Sequence, residues 1–418
     1  MELTLKHLAI LFIAFLLSVN ATTALSAKFV QLDEQQLQSA KALIQSGEAP
    51  ALTQDAYKKL LNDADALLKV KDFTVTDKEI LAPTGDAHDY VSISRYWWPD
   101  PSKKDGLPWV RHDGETNPDT QTDKVDRKRI GAMTKAVKTL SYAYYFSGND
   151  AYAKKGVSMI KTWFLRPETK MNPHLQFAQS VPGNNKSRRS GILDGRLIPL
   201  WVLDSITLFS TSTYWSDVDQ QQMNNWFDQY LTWLVESKVG KSGSRQTNNH
   251  GSWYRFQVIA LAFYLEKDKF LKEELSKAKV AMAKQFNKEG AQEHELKRTK
   301  SFFYSTFNLN AITRTAIIAD KVGDTLWDYP SKDTSELDLA INYLIPAANG
   351  AAWPHPTRGI NATDLVASLS RYSKHTGLQE HKSLLKKLLL NAQSKAKGNN
   401  REARLVDMFA LFNPGAFD

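Results

Sequence analysis

Apolar residues recur along this chain at spacings of three and four, the pattern of helices with one buried face. The pattern runs through residues 32–44, 52–68, 129–146, 152–164, 197–209 and 223–235. It returns at 256–265, 271–286, 309–322, 337–345, 365–372 and 384–390. Gly148 closes one segment, Asp150 precedes the next, and Asp333 to Glu336 reads as a capping box. No sustained alternation with hairpin dipeptides appears, which disfavours a β-sandwich or β-helix. So many helices with loops of varied length predict antiparallel pairs closing into an all-α (α/α) barrel or toroid, the ring complete or incomplete. Without a strict internal repeat, a solenoid is the weaker reading.

Four long polar stretches interrupt the helices, at residues 74–125, 166–196, 240–251 and 290–300. Loops of such length in a compact domain are often functional. The candidate chemistry concentrates in them.

At the N-terminus, Lys6 and His7 precede the apolar run 8–19, and the small residues Ala24, Ser26 and Ala27 follow. This is the order of a secretory signal peptide over residues 1–27. The run falls short of the roughly 20 residues that span a bilayer, so no stable membrane anchor is expected after cleavage. Residues 28–418 then form a single domain in the periplasm or outside the cell. The absence of cysteine excludes disulfides and cysteine-ligated zinc. A 42% hydrophobic content suffices for a packed core and argues against global disorder. The net charge of +9 points to an anionic partner. With no nucleic-acid-binding signature, an anionic polysaccharide fits better than DNA or RNA. A monomer is expected, and no motif demands a metal or other cofactor.

Four segments carry candidate chemistry. In the first, Asn248, Asn249 and His250 precede Trp253 at the entrance to an apolar helix. A histidine so placed can serve as a base or donor near neutral pH; the bland reading is a helix cap and a local hydrogen bond. In the second, Arg298 and Tyr304 converge if the arginine lies in a loop and the tyrosine in the next helix's first turn. The guanidinium would then draw the phenol below its ordinary value of about 10. A surface arginine and a core tyrosine are the alternative.

The third segment places Tyr96, Trp97 and Trp98 together, bracketed downstream by Pro99 and Pro101. Such rings suit sugar stacking, although large aromatics anchor loops equally well. The fourth holds His174, Gln179 and Arg188, donors suited to a carboxylate-bearing substrate or simply a turn-rich connector.

Taken in order, Tyr96 to Pro101, Gln179 to Gly183 with Arg188, Gly191 to Asp194, Asn248 to His250, and Arg298 with Tyr304 resemble the alginate-lyase superfamily of α/α-toroid polysaccharide lyases. The resemblance spans roughly Asp86 to Ala316. Gly251 and Ser252 depart from the polar-aromatic step expected after the histidine in family 5, and the Arg298–Tyr304 interval is a residue shorter. The chain is more similar to family 38. The resemblance implies β-elimination in a uronate polymer, most closely mannuronate-rich alginate. Asn249 and Arg298 would neutralise the carboxylate, with His250 and Tyr304 flanking C5 and the glycosidic oxygen. Tyr96, Trp97, Trp98, His174, Gln179, Arg188, Asn248 and Trp253 would bind the chain. The rival readings are a glycoside hydrolase, drawing a carboxylic-acid pair from Asp100, Asp194 and Glu295, and a non-catalytic glycan-binding protein.

Overall fold

The computed structural model describes residues 28–184, 189–330 and 335–418. The expected signal peptide, Arg188 and Asp333 lie outside the described residues. The principal helices are α1 (Glu34–Ser46), α2 (Ala51–Leu68), α3 (Arg127–Ser147), α4 (Asp150–Phe164), α5 (Leu203–Phe209), α6 (Asp217–Glu236) and α7 (Lys238–Ser244). They continue with α8 (Asn249–Tyr264), α9 (Asp268–Ala283), α10 (Ser301–Lys321), α11 (Glu336–Ala348), α12 (Val366–Thr376), α13 (Gln379–Ala396) and α14 (Asn400–Phe412).

Contacts between these helices run in a closed circuit. α2 packs on α3, α3 on α5, the turn before α5 on α8, α8 on α10, and α10 on α12. α12 then packs on α13, α13 on α14, and α14 returns to α2. The architecture is an all-α toroid. α8 and α10 share the most extensive interface, and both are buried nearly all round because they stand inside the ring.

Sequence periodicity located most helices but placed the starts of some too late. α8 starts at Asn249 rather than Phe256, so His250 belongs to its first turn. α10 starts at Ser301, eight residues before its apolar run, which puts Tyr304 in the first turn as anticipated. The segment at 197–209 is a π-helical turn, Ile198–Val202, followed by the short α5. The C-terminal α14, which closes the ring, was not anticipated. Gly148 closes α3 with φ +72°, while Asn149 rather than Asp150 caps α4. Ser335 caps α11, its side chain accepting from the Asp338 N–H at 3.1 Å.

The described parts of the polar stretches meet over one end of the ring. β1 (Val91–Ile93) pairs in parallel with β4 (Phe177–Ser180), joining the first two. β2 (Trp97–Trp98) pairs antiparallel with β3 (Val110–Arg111). A buried charge cluster pins this layer to the start of α3. Asp126 accepts from the Val91 N–H at 2.9 Å and pairs with Lys78 at 3.3 Å and Arg129 at 3.1 Å. Lys78 also donates to the carbonyls of Val75 and Ala87, both at 2.6 Å. Burial raises the Asp126 carboxyl to about 6, though Lys78 opposes the shift. Leaving any of these groups without its partners would cost several kcal/mol, on the order of 3–5 for a broken buried pair.

Candidate active site

The first turns of α3, α8 and α10 open onto one cleft of about 400 Å³. α3 presents Arg127, α8 presents Asn249 and His250 with Asn248 at its cap, and α10 presents Phe303, Tyr304 and Phe307. The overlying polar layer adds Arg95, Tyr96, Trp97, Arg111, Gln179, Asp194, Arg196 and Arg298. Five arginines therefore line a cleft whose only lining carboxylate, among the described residues, is that of Asp194.

The Asn248 side chain accepts from the His250 N–H at 3.0 Å, fixing the turn that holds the histidine. Gly251 follows because nothing larger fits: a Cβ there would sit 2.0 Å from the Gln246 carbonyl oxygen. Behind Asn249 lies the buried Glu295. Its carboxylate accepts from the Asn249 N–H at 2.6 Å and from Asn249 Nδ2 at 2.9 Å to each oxygen. Two oxygens of one carboxylate subtend too small an angle to take both divergent amide N–H bonds. They share one, and the second N–H is left for a ligand in the cleft. Burial raises the Glu295 carboxyl above its ordinary value, with the Asn249 N–H groups opposing.

Arg298 occupies the loop before α10, and its guanidinium lies 3.6 Å from the centre of the Tyr304 ring. It is held there by Asp113, which accepts from Arg298 Nε at 3.1 Å and Nη2 at 2.7 Å. Asp113 also pairs with Arg111 and accepts from Thr299 Oγ1 at 3.1 Å. Burial pushes the Asp113 carboxyl up, but the Arg298 bond and charge win and hold it at about 2.

Tyr304 Oη lies 2.8 Å from Tyr96 Oη. Its titration differs from the sequence expectation. Burial pushes the phenol well above 10; Arg298 pulls it down without overcoming burial, and Tyr96 adds to the rise. The guanidinium stacks on the ring face and leaves the phenolic oxygen to another phenol. Tyr304 is thus a protonated donor at neutral pH.

Gln179 reaches the cleft from a left-handed backbone conformation, φ +49°, rare for a residue with a side chain. Its Nε2 donates to Asp194 at 2.9 Å and its N–H to Ser92 Oγ at 2.7 Å. Asp194 further accepts from Tyr90 at 3.0 Å and Ser92 at 2.6 Å, and pairs with Arg127 at 3.3 Å. So bound, it organises the cleft and has no free face to act as an acid. Arg196 sits over the Trp253 and Phe307 rings, 5.7 and 5.4 Å from their centres. Burial, aided by Arg127, lowers its guanidinium to about 9.

Tyr96, Trp97, Gln179, Asn248, Asn249, His250, Arg298 and Tyr304 thus converge as a set. Three expected binding residues do not line the cleft. Trp253 is buried, packing against Phe256 and Phe307 beneath Arg196. His174 pairs with Asp89 at 3.1 Å and packs near Trp233. Trp98, on the strand face opposite Trp97, donates to the Glu115 carbonyl at 3.3 Å and stacks on His112. Asp113, Arg127 and Arg196 were missed; Asp113 gave no local sign, because its partner Arg298 is 185 positions away. The carboxylate pair of a hydrolase finds no support either. Asp100 lies outside the cleft, Glu295 behind Asn249, and Asp194 under four donors.

A family model described as alginate lyase matches residues 74–353. Among solved structures, an alginate lyase from Bacteroides ovatus is 34% identical, with a TM-score of 0.81 over 86% of this chain and 95% of that one. Alginate lyase A1-III from a Sphingomonas species is 15% identical, with a TM-score of 0.52 over 82% and 88%. A variant of that enzyme complexed with a tetrasaccharide gives 16% and 0.53, a likeness of fold. No curated protein sequence matches. On the family match and the Bacteroides relative together, this chain belongs to the alginate lyase family and is a polysaccharide lyase.

Proposed function

We propose that the chain is an exported lyase of mannuronate-rich alginate, with His250 and Tyr304 as base and acid and Asn249 and Arg298 neutralising the substrate carboxylate. β-Elimination takes the C5 proton of a uronate and expels the C4 oxygen, and the intermediate gathers negative charge on the carboxyl group. The free Asn249 N–H and the Arg298 guanidinium supply donors for that charge where it develops. Histidine ordinarily titrates near neutrality and can accept the C5 proton. The Tyr304 phenol then donates to the departing C4 oxygen.

The observation that carries this reading is the Tyr304 hydroxyl, bonded to Tyr96 at 2.8 Å in a cleft of arginines. Mannuronate is favoured over guluronate because its C5 proton and C4 oxygen lie on the same side of the ring, within reach of neighbouring groups. His250 and Tyr304 are such neighbours, from the first turns of α8 and α10, which share the most extensive interface. Export rests on the N-terminal reading. Among the described residues no helix is long and apolar enough to cross a membrane.

The test is turnover on polymannuronate, polyguluronate and glucuronan, followed by ultraviolet absorbance of the conjugated product. Fastest elimination on polymannuronate, slowed about a hundredfold or more in Tyr304→Phe and in His250→Ala, is expected. Product without new absorbance, or near-normal turnover in Tyr304→Phe, would overturn the assignment.

A further inference from the structure

A second concentration of positive charge lies away from the catalytic cleft. Arg314 stands ten residues beyond Tyr304 on α10, about 15 Å further along a helix rising 1.5 Å per residue. Lys135 and Lys138 lie on α3, eight and eleven residues beyond Arg127, or about 12 and 16 Å. Arg371 comes from α12 and Arg404 from α14. Side chains from four ring helices lie near enough here to act on one another's charge.

The contacts define the cluster. Arg314 Nε and Arg371 Nη1 both donate to Asn310 Oδ1, at 3.2 and 3.0 Å. Arg371 also donates to Thr313 Oγ1 at 3.2 Å, and Arg314 Nη1 to Gln31 Oε1 at 3.1 Å. Lys138 Nζ lies 4.2 Å from the centre of the Trp201 ring. Lys135, Arg314 and Arg404 all act on the Lys138 charge, and Arg314 acts on that of Arg371.

What these cations lack, among the described residues, is a carboxylate bonded to them. Among the described residues, none of the five forms a salt bridge. The carboxylate facing Arg314 is Asp204, whose oxygens already accept the N–H groups of Val30, Gln31 and Leu32. Burial lowers Lys138 to about 8 and Arg314 to about 10, and it lowers Arg371 too. Yet Lys138, Arg314 and Arg371 are only half-buried, and Lys135 and Arg404 are exposed, so solutes reach the group. Two guanidiniums on one amide oxygen, beside an ammonium on a ring face, repel one another until an anion joins them. The planar forks of the arginines match the paired oxygens of an oxyanion.

We propose that Lys138, Arg314 and Arg371 form a binding site for a small oxyanion, an inorganic sulfate or phosphate or the carboxylate of a sugar acid. Bound there, it ties α3, α10 and α12 together and stabilises the ring by mass action. The site is separate from the elimination chemistry and does not depend on the substrate assignment.

The test is thermal unfolding and titration calorimetry of the whole protein with sodium sulfate, phosphate or glucuronate, against sodium chloride at equal ionic strength. The expected result is a saturable rise in Tm with an oxyanion salt and none with chloride. The midpoint should weaken at least tenfold in Arg371→Gln and in Lys138→Gln. The sulfate and phosphate arms against the glucuronate arm identify the source of the oxyanion. An equal rise in chloride would mean charge screening, and a rise that does not saturate or a midpoint unchanged in both variants would mean salt exclusion; each would overturn the proposal. Should Arg371→Gln fail to fold, Lys138→Gln and the heat of binding to the unaltered protein decide; no saturable heat with any oxyanion overturns it.

Discussion

Arg298 stacks 3.6 Å from the centre of the Tyr304 ring while the phenolic oxygen bonds to Tyr96. The guanidinium and the hydrogen-bonded hydroxyl therefore occupy different parts of one side chain. Tyr304→Phe preserves the stack and removes the proton. We expect kcat to fall on the order of a hundred- to ten-thousand-fold, the usual worth of a positioned acid, with KM and Tm almost unchanged. Initial rates by product absorbance check this, and a parallel collapse of Tm would reassign the hydroxyl to folding.

Asp113 positions Arg298 through two hydrogen bonds. Its carboxyl is held at about 2, below its ordinary value. A depressed carboxyl contributes stability above the unfolded value of about 3.9, and loses it as pH falls through about 2. Asp113→Asn should remove the share of acid sensitivity between about pH 4 and pH 2, measured as Tm against pH. It should also raise KM for the polymer by loosening Arg298. Unchanged KM would show that the arginine holds its place without the aspartate.

Glu295→Gln separates orientation from stability. Burial raises this carboxyl, so between its ordinary and raised values the folded protein binds a proton that the unfolded chain does not. Its contribution favours folding at acid pH and declines as pH rises, so the glutamine variant should show a flatter profile there. Activity should nonetheless fall, because Asn249 Nδ2 donates to both carboxylate oxygens and a glutamine would set an NH2 group against it at one of them. A fully active variant would show that Asn249 needs no such support.

The aromatic residues divide by position. Trp253→Ala should cost about 3–5 kcal/mol of stability, as core Trp truncations do, since the ring is 1% exposed. Trp97→Ala, at the cleft, should leave Tm nearly intact and raise KM. His174→Ala, outside the cleft, should leave KM alone. Denaturation and steady-state kinetics on the three variants separate these outcomes; a KM effect from His174 equal to that of Trp97 would extend the binding surface beyond the cleft.

These contrasts show what was legible in the sequence. Helices buried on one face announced themselves, but α8 opens with Asn249 and His250, and the first rings of α10 turn to the cleft, so periodicity placed their starts late. Asn249, His250 and Tyr304 were legible because each sits in a short motif beside a helix entrance. Asp113 and Arg196 act through partners set by the fold and left no local trace. Trp253 was misread because a buried ring and a sugar platform have the same composition. The Tyr304 titration turned on burial, which spacing does not report.

The three first turns that open onto the cleft have a consequence beyond placing side chains. Peptide dipoles in α3, α8 and α10 all direct their positive ends at it, each equivalent to roughly half an elementary charge. Part of the field that favours an enolate-like intermediate is therefore written in the backbone. It persists when any one arginine is replaced, and it cannot be titrated away. Single-arginine variants should accordingly retain a residual preference for anionic chains, set by the architecture of the ring.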